Sequence, residues 1–214
     1  MSDAGRYDVS GLPEAQFEPG SDEQVLRNLL GIRSRSDMDH TEALALERAT
    51  DDVIRSYDER HRFMAEDLCR IHRNWLGAIY EWAGAYRRVN VSKGDVPFAA
   101  AAQIPRLMAE FERGQLARYT PCRFPNNEEI VNALAEVHTE LVLIHPFREG
   151  NGRIARLLAT LMALQAGLPL LNFAVIADKK KPAYFAAVRA GLDRDYRPMG
   201  VIFAEIIERT IEAS

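Results

Sequence analysis

The sequence predicts an all-α domain carrying one small β-hairpin. Three observations carry that prediction. Over most of the 214 residues, apolar side chains recur at spacings of three and four, the signature of amphipathic helices. Strand-like alternation is confined to Tyr86 to Phe98, where β-branched Val89 and Val91 stand two apart before a Lys93-Gly94-Asp95 turn. Leu157 to Leu164 is apolar on nearly every side, as in a helix buried at the centre of one domain.

Taken in order, Met1 to Gly20 holds Gly5, Gly11, Pro13, Pro19 and Gly20 and reads as an irregular arm before a single domain over residues 21–214. Ser21 with Gln24 three residues on predicts a capping box, opening a short helix through Leu30 that Gly31 ends. Helices follow from about Asp39 to Tyr57 and from about Arg60 to Leu76, where His72 reads as a packing residue without chemistry. Gly77 to Gly84 breaks the helical pattern, and the hairpin comes next. Ala99 to Gly114 reads as a helix with Ile104, Leu107, Met108 and Phe111 on one face. Asn126 is the expected N-cap of a helix from Glu128 to Ile144, with Glu129 at the capping-box position. Gly167 and Pro169 end the central helix. Lys179, Lys180 and Lys181 read as a solvated helix start, Pro182 opens a helix with Tyr184, Phe185, Val188 and Leu192, and Tyr196 to Ile211 closes the chain.

Composition narrows the function classes. At 47% hydrophobic and 27% charged residues the chain is ordinary for a soluble globular protein. A net charge of -4 gives no electrostatic case for binding nucleic acid or a membrane surface. Cys69 and Cys122 form neither a metal spacing nor a disulfide framework. With no signal-like segment in the first ten residues and no apolar run of spanning length, the expected compartment is the cytoplasm.

The chemistry concentrates in His145-Pro146-Phe147-Arg148-Glu149-Gly150-Asn151-Gly152-Arg153-Ile154-Ala155-Arg156, a polar stretch between two core helices. The second helix starts with Arg153 and Arg156, although a helix N-terminus already carries partial positive charge. Gly150-Asn151-Gly152 can bring bare backbone N–H groups close to a ligand. Cations and amides gathered there call for an anion, and a phosphate chain fits. Glu149 is the one acid among them, which suits Mg²⁺ held by a carboxylate and phosphate oxygens. His145 can act as a general base near neutral pH. Read separately, His145 could pack in the core and the two arginines could pair with core acids. Read together, the residues point to phosphoryl or nucleotidyl transfer.

His145 to Arg156 resembles the Fic-domain signature His-Pro-Phe-x-(Asp/Glu)-Gly-Asn-Gly-Arg-x-x-Arg at every defined position. The resemblance extends over about Asp22 to Ile207 and implies a single Fic-type helical domain whose hairpin, about 86–98, is the flap over an active-site loop at 145–153. It implies transfer of AMP from ATP, with Mg²⁺, to a Tyr, Ser or Thr hydroxyl of a target protein. His145 would take the hydroxyl proton and Glu149 would hold the metal. Gly150, Asn151 and Gly152 would cradle phosphate, Asn151 adding its side chain, and Arg153 and Arg156 would bind the outer phosphates. Pro146 and Phe147 would anchor the loop, and Arg148 falls at a variable position. Flap residues Val89, Asn90, Val91 and Ser92 would pair with the target's backbone. Tyr184, Phe185 and Leu192 would line the adenine pocket, although the Tyr and Asn often found near Phe185 and Leu192 in the family are missing here. Gln24 to Ile32 resembles the N-terminal segment of bacterial Fic toxins, which implies a type II topoisomerase subunit such as DNA gyrase B as target. The family's inhibitory pattern, Ser/Thr-x-x-x-Glu-Gly/Asn, occurs nowhere in the chain, which leaves a constitutively active enzyme or a separate small antitoxin supplying the glutamate, and the toxin-like segment favours the antitoxin. Transfer of phosphate or phosphocholine from the same cradle, and a non-catalytic nucleotide- or partner-binding module, are the competing readings.

Overall fold

Helices α5 (Asn127–Ile144) and α6 (Asn151–Gln165) run through the centre of the fold, joined by the short segment 145–150. The computed structural model describes residues 11–93, 96–176 and 181–213. Helix α5 starts at the expected cap: Asn126 is extended, and its side chain accepts the Glu129 N–H at 2.9 Å. Such a cap contributes about 1 kcal/mol. Ile130, Leu134, Val137 and Leu141 are buried on α5, and Ile154, Leu157, Leu158, Leu161 and Met162 on α6. Helix α8 (Arg197–Glu212) packs on α5, and α7 (Lys181–Ala190) packs on α8. On the other side α1 (Arg35–Ser56) lies on α2 (Ala65–Leu76), which packs against α6. Helix α3 (Ile104–Phe111) contacts α2 and α5, and a wide turn at Glu112–Leu116 carries it into the short α4 (Ala117–Tyr119).

Several boundaries move, each for a local reason. Helix α2 begins at Ala65 rather than Arg60 because Asp67 turns back to cap it, accepting from Met64 N at 2.8 Å and pairing with His61 Nε2 at 2.9 Å. Burial alone would raise the Asp67 pKa. The bonds from His61, the Met64 N–H and Arg70 outweigh it and hold the carboxyl below its ordinary range. The helix expected over Ser21–Leu30 does not form. Asp22 and Glu23 take left-handed φ values of 51° and 58°, and Ser21 Oγ accepts from Val25 N instead of opening a helix. Leu26 pairs as an isolated bridge with Phe17, and Asn28 spends its side chain on the backbone of Leu26, Leu30 and Ile32. These turns satisfy locally the groups a helix would have used.

The hairpin is shorter than expected. Strand β1 (Ser92–Lys93) pairs antiparallel with β2 (Val96–Pro97). Val89 is not part of the pairing edge: it is buried, and its carbonyl accepts from Arg87. Asn90 accepts the Ala101 N–H. The docking edge expected at Val89–Ser92 therefore contracts to its outer end. The turn residues Gly94 and Asp95, the arm residues 1–10, and Lys179 and Lys180 lie outside the described residues. The described part of the arm is anchored, with Pro13–Ala15 forming a turn that buries Glu14. No helix among the described residues is long and apolar enough to cross a membrane.

Candidate active site

The segment 145–150 is shaped chiefly by backbone hydrogen bonds to buried side chains. His145 ends α5 in the left-handed conformation, φ 53° and ψ 58°, with its N–H still on Leu141 O. A non-glycine residue there costs on the order of 1 kcal/mol, and the surroundings must fix it. Arg87 supplies much of that fixing. Its side chain is buried, and its Nε donates to His145 O at 2.7 Å. Its other two nitrogens donate to Val89 O and Ala99 O, at the two roots of the hairpin, while its backbone N–H reaches Pro146 O. Burial among carbonyls lowers the Arg87 pKa from its ordinary value.

The imidazole of His145 is oriented too. Nδ1 lies 3.0 Å from Val142 O, a pure acceptor, so Nδ1 carries the hydrogen and the lone pair of the neutral ring sits on Nε2. Phe98 stacks on the ring at 3.5 Å between centroids.

Asn151 departs from its expected part in the phosphate cradle. Its side chain is buried, with Oδ1 accepting Phe147 N and Nδ2 donating to Phe147 O, both at 2.8 Å. The amide staples the loop to the helix start, so only the Asn151 backbone remains for a ligand. Phe147 is fully buried, as expected of the loop's anchor. Gly150 has φ 81°, and a Cβ there would stand 2.5 Å from the Trp75 ring, so only glycine fits. At Gly152 a Cβ would meet only Arg156 Nη1, at 3.7 Å. Helix α6 opens with no side-chain cap and no acid in its first turn.

The two arginines occupy different electrostatic states. Arg153 pairs with Glu42 at 2.7 Å and with Glu149 at 3.2 Å, and its guanidinium lies 4.5 Å from the Trp75 ring centroid. Glu42, buried on α1, also accepts from the Tyr80 hydroxyl at 2.7 Å. Arg156 is half-buried, and no carboxylate of the described residues pairs with it. Desolvation lowers its pKa, and Tyr184 is among its electrostatic neighbours. Glu149 accepts the Gly150 N–H through Oε1. It is a lone, partly exposed carboxylate; no group of three or more metal-ligating side chains occurs among the described residues. A donor set this small fits Mg²⁺, which takes most of its ligands from phosphate and water.

Of the expected adenine residues, Tyr184 is buried beside Arg156, with its hydroxyl 3.0 Å from His138 Nε2 and its pKa pushed up to about 12 by burial. Leu192 is 66% exposed, which leaves it little share in any enclosed pocket. Four residues outside the motif's expected roles also shape the site: Glu42, His72, Arg87 and Arg148, whose Nε donates to Glu14 O. A carboxylate buried in a helix next to polar residues gives no local signal of its partner. Arg87 and His72 act through hydrogen bonds to residues 58 and 77 positions away in the sequence.

A left-handed histidine, a glycine-rich helix start and an arginine that no carboxylate of the described residues pairs with meet at this loop. Residues 62–163 match the model of the Fic/DOC family. The chain is 26% identical over 207 residues to a protein named protein adenylyltransferase Fic from Drosophila ananassae, covering 96% of this chain and 40% of the relative. With the protein of the same name from Drosophila melanogaster it shares 27% over 189 residues, 88% of this chain and 37% of the relative. The chain thus spans about two fifths of the length of these curated relatives. Among solved structures, BepC of Bartonella tribocorum with bound AMPPNP superposes with a TM-score of 0.72 at 22% identity, covering 92% of this chain and 97% of that one. The N-terminal Fic domain of a putative cell filamentation protein from Bartonella quintana with bound ADP gives 0.71 at 26%, covering 90% and 94%.

Proposed function

We propose that this chain transfers AMP from ATP to a hydroxyl side chain of a target protein. The observation that carries the reading is the pairing of a base with an anion site. His145 is locked with its lone pair on Nε2, and near the uncapped start of α6 stands Arg156, which no carboxylate of the described residues pairs with. Gly152 adds support: the protein's own packing does not demand a glycine there, whereas a phosphate held against the helix start would. The adenylyltransferase names of the relatives and the nucleotides bound in similar structures point the same way.

In this reaction the target hydroxyl oxygen attacks the α-phosphorus of ATP and its proton passes to His145 Nε2. The bond from the α-phosphorus to the bridging oxygen breaks, and pyrophosphate leaves. Backbone N–H groups at Asn151 and Gly152 hold phosphate oxygens, while the Gly150 N–H, expected in the same cradle, is taken by the Glu149 carboxylate, and Arg156 orients the leaving group. Arg153 reaches the same phosphates from its clamp between Glu42 and Glu149. Mg²⁺, bound through Glu149, would draw off charge that builds on the phosphates. The exposed backbone at Ser92 offers the target an edge, and Tyr184 lies on the side where the base would sit.

The finer reading follows the toxin-like segment 24–32: the target is a type II topoisomerase subunit such as gyrase B, modified in the ATP-rich cytoplasm. Arg156 suits inhibition in trans, because a glutamate from a small antitoxin would meet no competing carboxylate among the described residues there. Purified gyrase left unlabelled beside a strongly labelled lysate protein refutes that target. A neighbouring small protein that fails to relieve growth arrest refutes the antitoxin. The reaction itself is tested by its products: release of pyrophosphate matching the AMP bound to protein supports it. Release of ADP with phosphate on the target shows a kinase, and neither product shows a binding module.

A further inference from the structure

We infer that His72 is the positioning residue for the Glu149–Gly152 end of the active-site loop, acting through one tautomer of its ring. The inference rests on the AMP-transfer reading for its kinetic consequences and on geometry alone for its structural ones. His72 is fully buried on α2, far in sequence from the loop. The Gly84 N–H donates to its Nδ1 at 2.8 Å, so Nδ1 is an acceptor and cannot carry the hydrogen. The hydrogen is therefore on Nε2, which lies 3.1 Å from the carbonyl of Glu149 and donates to it. The ring face stacks on Phe147 at 4.0 Å and 13°. One imidazole thus fixes two points of the loop: the Phe147 ring at its middle and the Glu149 carbonyl next to Gly150.

Holding that peptide fixes the Gly150 N–H, which binds the Glu149 carboxylate, and sets the direction in which the following amides point. Gly84 serves the arrangement from the other side. It has φ 81°, and a Cβ would stand 2.7 Å from Arg73 Cβ and 2.9 Å from Cys69 O, so the N–H reaches His72 only from a glycine. The Glu149 carbonyl, though remote from the reacting atoms, is held as a metal site's outer partners hold its ligands.

Two half-replacements separate positioning from packing. His72→Gln keeps an N–H donor near the reach of Nε2; His72→Asn keeps an acceptor near Nδ1 and loses the donor to the loop. Hydrogen–deuterium exchange across residues 148–152 is read beside kcat and KM for AMP transfer and the melting temperature. His72→Gln should keep loop protection and most of kcat. His72→Asn should exchange at least about tenfold faster there and lose about 10- to 100-fold in kcat at unchanged target KM, with the two variants melting alike. Equal exchange and turnover in both variants would overturn the inference. Should either variant fail to fold, nitrogen NMR of the unmodified protein decides: protonation on Nε2 supports the assignment and protonation on Nδ1 refutes it. If the unmodified protein transfers no AMP, the proposed reaction fails, while the exchange and NMR results still judge the positioning of the loop.

Discussion

Arg153 and Arg156 are the same residue type three positions apart on α6, and their surroundings give them different work. Arg153 is held by Glu42 and Glu149, whereas Arg156 is desolvated without a carboxylate partner among the described residues. A cation kept out of water without a partner costs stability, and the fold tolerates it where a ligand supplies the anion. Replacing Arg156 with Met should therefore leave the melting temperature of the ligand-free protein unchanged or raised. The same change should weaken ATP binding by about 10- to 100-fold, the worth of one charge-assisted contact. Calorimetry of both quantities checks this; unchanged ATP affinity would remove Arg156 from the site. The type and spacing of these residues were legible from the motif. Their different states were not, because Glu42 lies on α1, distant in sequence from its partner.

At the scale of elements, the loop between α5 and α6 explains both a success and a failure of sequence reasoning. Helical periodicity gave α5 almost to the residue, since its core is regular and Asn126 is a cap with a local partner, whereas α6 takes in Asn151 to Arg153, which were expected in the loop. The glycine-flanked Asn151 looked like a ligand for phosphate, but its amide closes a local ring with the Phe147 backbone. Ser21 failed in a similar way: the capping pattern was present, but left-handed Asp22 and Glu23 turned the chain away from a helix. The staple makes a prediction. Asn151→Ala leaves the buried Phe147 N–H without its partner and should cost about 1–3 kcal/mol in urea unfolding, with the m-value unchanged. A loss of ATP binding at full stability would restore the ligand role.

At the scale of the molecule, the site is assembled by contacts that no spacing rule reaches: Arg87 to His145, His72 to Glu149 and Glu42 to Arg153. The all-α class was legible because burial imposes a period; which helices face the loop was not, because that depends on packing. Folding also sets a pH dependence. His138 is buried between helices, and burial lowers its pKa from 6.5 to about 4. The unfolded chain therefore binds a proton that the folded one refuses below about pH 6.5. The stabilising term is fully present above the unfolded value and fades as the pH falls toward 4, by on the order of 3 kcal/mol. Urea titrations at several pH values should show a shallower loss in His138→Gln than in the unmodified protein; parallel curves would exclude that contribution. The most direct test of the central claim is transfer from ATP labelled at the α-phosphate into protein, comparing the unmodified chain with His145→Ala. The account predicts labelled protein from the former and about 10²- to 10⁴-fold less from the latter, with ATP affinity and fold retained. Full labelling by His145→Ala, or label from the γ-phosphate alone, would contradict it.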